Sequence, residues 1–284
     1  MAKSALYSKH THISSQHRML DLKLDEVWQF RELIELFTRR NFKVAYKQTI
    51  LGPLWLFINP LMTSAMHLVV FGNIAKLGTD GIPQLLFYLT GNAIWGYFSN
   101  CLNGNASTFT GNAGLFGKVY FPRLTIPISN VLSSTIKFFI QMLMAFGLLI
   151  FYSLTGTMTP HPVRLLLVPV ILLWIGIMGM GCGIILSSMT VKYRDLSVLV
   201  GFGMSIWMYG TPVVYPLSTL SGVLRRIITM NPMTMPVELF RWAILGTGTL
   251  NVYSAVWSVV FTASVFLIGV ILFNRVERNF MDIV

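Results

Sequence analysis

Charged residues in this chain are clustered, and the gaps between clusters are long. Lys47 and Lys76 enclose 28 residues without Asp, Glu, Lys or Arg, Asp80 and Lys118 enclose 37, and Lys137 and Arg164 enclose 26. Arg164 and Lys192 enclose 27, Asp195 and Arg225 enclose 29, and Arg241 and Arg275 enclose 33. A helix needs ~20 mostly apolar residues to cross ~30 Å of hydrocarbon, so each window holds one crossing. The second half of the longest window is rich in Gly and Asn, which argues against two crossings there. Runs such as 165–173 and 256–273 are continuously apolar, whereas a membrane β-strand alternates polarity over ~10 residues. The pattern predicts an all-α membrane protein with six transmembrane helices, near 51–75, 84–109, 126–154, 165–189, 196–215 and 252–273. Pro53 and Pro60 place a kink in the first half of the first one.

The polar segments sort the sides of the membrane. Residues 1–50, the loops 110–125 and 190–195 and the C-terminal tail carry 15 Lys and Arg; the loops 76–82, 155–164 and 215–250 carry 5. By the positive-inside rule both termini are cytoplasmic. Residues 1–25 read as a polar tail, and the loose spacing of His10, His12 and His17 does not suggest a metal site. The first 50 residues, with nine Lys and Arg, do not read as a signal peptide. Residues 26–47 place Val27, Phe30, Leu33, Ile34, Phe37 and Val44 at helical spacing, with Arg31, Glu35, Arg39, Arg40 and Lys43 largely opposite. This predicts an interfacial amphipathic helix with Trp28, Phe30, Arg39 and Arg40 in the headgroup layer, and Arg31–Glu35 and Glu35–Arg39 as ion pairs. Residues 48–284 form the transmembrane domain. Within it, 216–250 is too apolar for a free loop and too charged for a crossing. It reads as re-entrant half-helices between spans 5 and 6.

Composition agrees. Of 284 residues, 54% are hydrophobic and 11% charged, against roughly 25% charged in soluble domains. The formal charge of +11 lies between apolar stretches rather than on one face, so it indicates no nucleic acid partner. Cys101 and Cys182 read as small buried hydrophobes.

Chemistry that would power or catalyse anything is missing. The nearest approach to a phosphate loop, Gly111 to Gly117 and Lys118, has one residue too many and is followed by Val119. All ten acidic residues lie outside the six windows, leaving His67 and Lys137 as the only ionisable options for an ion-coupled carrier. No catalytic constellation of carboxylates, Ser/His or metal ligands is visible. The simple reading is an unpowered membrane half, driven by another protein. Span 2 carries Asn92, Ser99, Asn100, Asn103 and Asn105 among Trp95, Tyr97 and Phe98; these amides either join helices or line a pore. Lys137 either snorkels to headgroups or faces an aqueous cavity. Gly179 and Gly183 form a GxxxG pair suited to close helix packing.

Five segments, taken in order, resemble one family: Tyr46-Lys47-Gln48-Thr49-Ile50-Leu51-Gly52-Pro53-Leu54-Trp55, Lys118-Val119-Tyr120-Phe121-Pro122-Arg123, Val191-Lys192-Tyr193-Arg194-Asp195, Thr211-Pro212-Val213-Val214-Tyr215-Pro216 and Asn231-Pro232-Met233. From about residue 28 onward the chain resembles the membrane-spanning subunit of an ABC-2 type polysaccharide exporter, closest to the O-antigen exporters. The resemblance implies a homodimer, two separate ABC ATPase subunits, and ATP and Mg bound there with no cofactor in this chain. It implies a bacterial inner-membrane location and a polyprenyl-diphosphate-linked polysaccharide as cargo, moved to the periplasm between the two copies past spans 1, 2 and 5. Beside that analogy, Lys118, Val119, Tyr120, Phe121, Pro122 and Arg123 suit docking to the ATPase, or lipid anchoring. Lys192, Tyr193, Arg194 and Asp195 form a second coupling segment or a plain tight turn, with Arg194 and Asp195 capping span 5. Trp95, Tyr97, Phe98, Asn100, Trp207, Tyr209 and Tyr215 are candidates to stack on sugar rings and bond hydroxyls; an interfacial aromatic belt explains the rings equally well. Capsule, teichoic acid or small molecules as cargo, and a glycan-modifying enzyme, remain alternatives.

Overall fold

A computed structural model describes residues 24–47, 49–116, 118–159, 162–193 and 195–283. Residues 1–23, with the three tail histidines, and Gln48, Gly117 and Arg194 lie outside the described residues. Every regular element among those described is helical.

The amphipathic segment is two helices, α1 (Leu24–Gln29) and α2 (Arg31–Tyr46), separated at Phe30, where ψ is 21°. α2 lies along the first half of the 30-residue α6 (Thr125–Leu154). Asn41 Nδ2 donates to Asn130 Oδ1 at 2.9 Å, and Thr38 is buried against the same helix.

The first long helix opens with the 3-10 turn Gly52–Leu54, where Pro53 fills the first turn and needs no amide hydrogen. It continues as α3 (Trp55–His67) and ends in a π-helical stretch, Leu68–Ile74. Pro60 is carried inside α3. The pronounced irregularity is therefore at the opposite end from the prolines. There the chain meets α4 (Gln84–Ala106): a Cβ on Gly72 would stand 2.6 Å from Gln84 Oε1, so the Gln84 side chain lies directly over this glycine.

α4 is the central helix, touched by α3, α6, α7 (Val168–Thr190) and α10 (Thr234–Leu245). Leu86, Phe87, Tyr88, Ile94, Phe98 and Cys101 on it are fully buried. The glycine pair explains the closeness of α4 and α7. An ideal Cβ on Gly183 would lie 2.5 Å from Leu102 O and from Asn105 Cβ, and one on Gly179 would lie 2.7 Å from Cys101 Cβ. On the far side of α7, Gly181 meets Gly269 of α11 (Val252–Ile283), so three helix backbones are drawn together.

Beyond α4 runs α5 (Thr108–Phe116), a short segment kinked at Asn112, where φ is -125°. α7 is preceded by the 3-10 segment Pro162–Leu167. α8 (Leu196–Tyr209) has 14 residues and stops six residues before the expected end of span 5. α9 (Gly222–Met230) and α10 fill the segment read as half-helices. Gly246, at φ 81°, ends α10 in the left-handed conformation that glycine adopts freely. α11 continues past residue 273, where a tail was expected, through Ile283.

Candidate functional site

Three structures gather the residues singled out above. The first is a cleft of about 330 Å3 where α3, α4, α6 and α8 meet, lined among others by Trp55, Asn92, Trp95, Asn100, Lys137 and Gln141. Trp95 closes one side with Phe98 and Trp207, ring centroids 5.4 Å and 6.5 Å away, and Phe98 meets Trp207 at 5.1 Å. Asn92 Nδ2 donates to Ser64 Oγ at 2.9 Å, tying α4 to α3. Tyr97 points elsewhere. It is buried between α4, α6 and α7, donates to Leu172 O at 3.1 Å and stacks at 5.6 Å on Phe138. Of the amides on span 2, Asn100 and Asn103 are exposed, whereas Asn105 is buried and bonds Cys101 O within its own helix. Asn130 completes the amide set by donating to Gly104 O at 2.9 Å.

The second structure is the joint after α8. Asn231 accepts from Trp207 Nε1 at 3.0 Å and from the Met233 amide at 3.0 Å, and donates to Gly210 O at 2.6 Å and Thr211 Oγ1 at 2.9 Å. Two segments of the family pattern, 211–216 and 231–233, are thus one clamp. It explains the early end of α8: Pro212 lacks an amide hydrogen, and the Gly210 carbonyl is held by Asn231 instead of a further helical turn. Below it Arg241, 2% exposed, donates to Glu238 Oε1 at 2.7 Å and Pro212 O at 2.8 Å and lies 4.1 Å over the Phe87 ring. Glu238 Oε2 accepts the Thr249 amide at 2.7 Å. Removing either charge would leave its partner buried and uncompensated. Tyr215, donating to Tyr209 O at 2.8 Å, and Tyr209, whose ring stands 6.3 Å from Phe71, border this joint. The sequence showed Glu238 and Arg241 only as charges interrupting an apolar stretch. Their three-residue spacing in such a stretch was the available signal, and the role of Asn231 had none beyond its place beside Pro232.

The third is an aromatic cluster at the other end of the bundle. Phe121 packs on Phe37 and Phe116, both at 5.7 Å, and Phe109 stacks on Phe273 at 4.6 Å. Phe121 and Pro122 are buried and Arg123 lies 5.2 Å over Phe116, while Lys118, Val119 and Tyr120 project outward. Tyr120 reaches Glu26 of α1 at 3.5 Å. The segment 191–195 lies at the same end, because Ser187 and Thr190 of α7 bond the Phe109 amide and Ala106 O. Lys192, Tyr193 and Asp195 are exposed, with Lys192 Nζ 5.2 Å from the Tyr193 ring. Asp195 stands just before α8 but makes no side-chain cap bond, which corrects the expectation of a cap there. On α2 and α1, Trp28 is 70% exposed and Phe30 half-buried; Arg39 pairs with Glu35, and Arg40 lies 4.8 Å over Phe37. Among the described residues no cluster of His, Cys, Asp and Glu is suited to a metal ion.

Four of the helical segments, Gly52–Ile74, Thr125–Leu154, Pro162–Thr190 and Val252–Val276, are long and apolar enough to cross a membrane. Three of them pack on the amide-bearing α4 and the fourth, in α11, packs on α7; together they define a multi-pass, all-helical membrane protein. Residues 32–245 match the ABC-2 type transporter family, and the chain belongs to it. Over 254 residues, 89% of this chain and 95% of the relative, it is 29% identical to an O-antigen export system permease protein RfbA of Klebsiella pneumoniae. A second Klebsiella pneumoniae protein of that name is 28% identical over the same extent. One from Myxococcus xanthus is 29% identical over 210 residues, 73% of this chain and 78% of the relative.

Proposed function

We propose that this chain is the membrane half of an ATP-driven exporter that carries a lipid-linked, O-antigen-like polysaccharide from cytoplasm to periplasm across a bacterial inner membrane. The observation that carries this reading is its likeness, over nearly its whole length, to proteins named as O-antigen export permeases. Energy comes from two ABC ATPase subunits that bind ATP and Mg, and this chain itself holds no cofactor and performs no catalysis.

Two copies form the conduit. α8 buries only Met204 and exposes Val198, Leu199, Phe202 and Ile206; α3 exposes Leu61, Met62 and Met66. These faces suit a second copy, with the cleft of α3, α4 and α6 turned to the passage between them. Trp95, Asn100, Trp207, Tyr209 and Tyr215 line or frame that passage, and Tyr97 and Phe98 hold its wall. The four apolar segments are joined as crossings by α4 and by α8 with its clamp. α4 is ~34 Å long at ~1.5 Å per residue, and α8 alone, at ~21 Å, needs the turn beyond it to complete a crossing. α9 and α10 are the half-inserted pair, α10 buried among the other helices and α9 covering only Ile228. α1 and α2 lie in the headgroup plane and the termini are cytoplasmic. The projecting Lys118, Val119, Tyr120, Lys192 and Tyr193, beside Arg194 and Asp195, meet the ATPase.

Cells that make a lipid-linked glycan but lack their own permease test the reading. Supplying this chain with its ATPase restores surface glycan, and the ATPase copurifies with it. Failure of any ATPase to copurify or to restore export refutes it. Cysteine labelling from outside, positive at Thr219 and negative at Val119, checks the topology.

A further inference from the structure

We propose that the cleft between α3, α4 and α6 is a binding subsite for an anionic carbohydrate, with the Lys137 ammonium receiving its negative group. The proposal rests on the exporter reading and names the chemistry of the cargo at that site.

The placement of Lys137 is the first reason. It is the only charged residue between Arg123 and Arg164, thirteenth in a helix otherwise long and apolar enough to cross a membrane. A cation at such a position is costly unless it meets an anion, water or a polar wall. Asn130, Ser134, Lys137 and Gln141 recur at three- and four-residue spacing and form one stripe of α6. Asn130 bonds Gly104 of α4, so the stripe faces α4. Ile136 and Phe139, beside α1 and α2, lie off it and are exposed. Lys137 therefore turns into the cleft rather than out toward lipid headgroups.

The wall around it is the second reason. Asn92, Asn100 and Gln141 offer amide donors and acceptors of the kind that bind sugar hydroxyls. Trp55 offers a broad exposed apolar face suited to the C–H face of a sugar ring, and the buried Trp95 borders the cleft with its remaining edge. Among the described residues no carboxylate lines the cleft to neutralise the ammonium. At about 330 Å3 it sits at the small end of ligand pockets, roughly 300–1,000 Å3, which is room for a sugar unit rather than for a lipid tail. A compact, hydrated ammonium among amides and indoles selects a ligand that carries both hydroxyls and one negative group, a sugar phosphate or an acidic sugar.

The test uses the full chain in nanodiscs and reads tryptophan fluorescence, with Trp95→Phe marking the share of the signal from the cleft. The probes are maltohexaose, maltohexaose 1-phosphate, inorganic phosphate and phosphatidylglycerol. Maltohexaose 1-phosphate binds at least about tenfold tighter than maltohexaose, a difference of ~1.4 kcal/mol. Lys137→Met erases the difference, Lys137→Arg keeps it, and Asn100→Ala weakens both sugars alike. Equal binding of the two sugars, no binding of either, an unchanged preference in Lys137→Met, or inorganic phosphate or phosphatidylglycerol binding as tightly as the sugar phosphate each overturns the proposal. Export by the wild-type chain with its ATPase is measured in parallel. Intact export with no charge preference sinks the subsite and spares the exporter, whereas absent export sinks the exporter first.

Discussion

α7 and α8 are consecutive apolar helices with opposite surroundings. α7 is wedged between α4 and α11, with Gly179, Gly181 and Gly183 in backbone contact on both sides. α8 has two glycines, Gly201 and Gly203, with open space where a Cβ would go, and it buries only Met204. The same residue type therefore means close packing in one helix and a bare surface in the next. α7 is packed on both sides within one chain, whereas α8 is left bare along most of its length. Without a hydrophobic force between helices inside lipid, close fit and polar contacts hold a bundle together; α7 has both and α8 has them only at its end, through Asn231.

The comparison can be broken in graded ways. The largest effect is expected from Arg241→Met, which strands the Glu238 carboxylate; the cost is about 3–5 kcal/mol, seen as loss of monodisperse protein in fluorescence-detected size exclusion. Glu238→Leu with Arg241→Met recovers part of it, because no charge is then stranded, although the Thr249 amide and the Pro212 carbonyl lose their partners. Gly183→Ala follows. A methyl at 2.5 Å from Leu102 O forces α4 and α7 apart, at about 1–3 kcal/mol, whereas Gly203→Ala, with open space, leaves the melting temperature unchanged. Asn231→Ala frees Trp207 and the Gly210 carbonyl and costs about 1–3 kcal/mol; a Trp207-dependent change in fluorescence accompanies the lower melting temperature. The smallest change in stability comes from the α8 face. Phe202→Cys folds as wild type, within about 0.5 kcal/mol, but crosslinks to a second copy on oxidation. A Phe202→Cys chain that stays monomeric would mean that α8 faces only lipid.

The long helices were legible because charge is expensive in hydrocarbon, and four of the six gaps between charged residues hold a helix long and apolar enough to cross. The close packing at Gly179 and Gly183 was legible for a similar reason, since small residues at four-residue spacing have few other uses in such a helix. What stayed hidden acts across distance in sequence. The end of α8 depends on an asparagine some twenty residues later, and the break of the amphipathic helix at Phe30 has no proline or glycine to announce it. Lys137 was visible as an oddity, but its direction depends on Asn130 meeting Gly104 of a different helix. Asp195 looked like a cap from its position, yet its side chain makes no such bond.

α11 is ~48 Å long at ~1.5 Å per residue, longer than the ~30 Å of hydrocarbon that a crossing requires. Its first turns are bolted down: Ser254, Trp257 and Ser258 bond the carbonyls of Thr229, Met230 and Pro232. A stiff rod fastened at one tip transmits torque without a hinge. A partner gripping the far end of this one unbroken helix would act directly on the junction of α9 and α10.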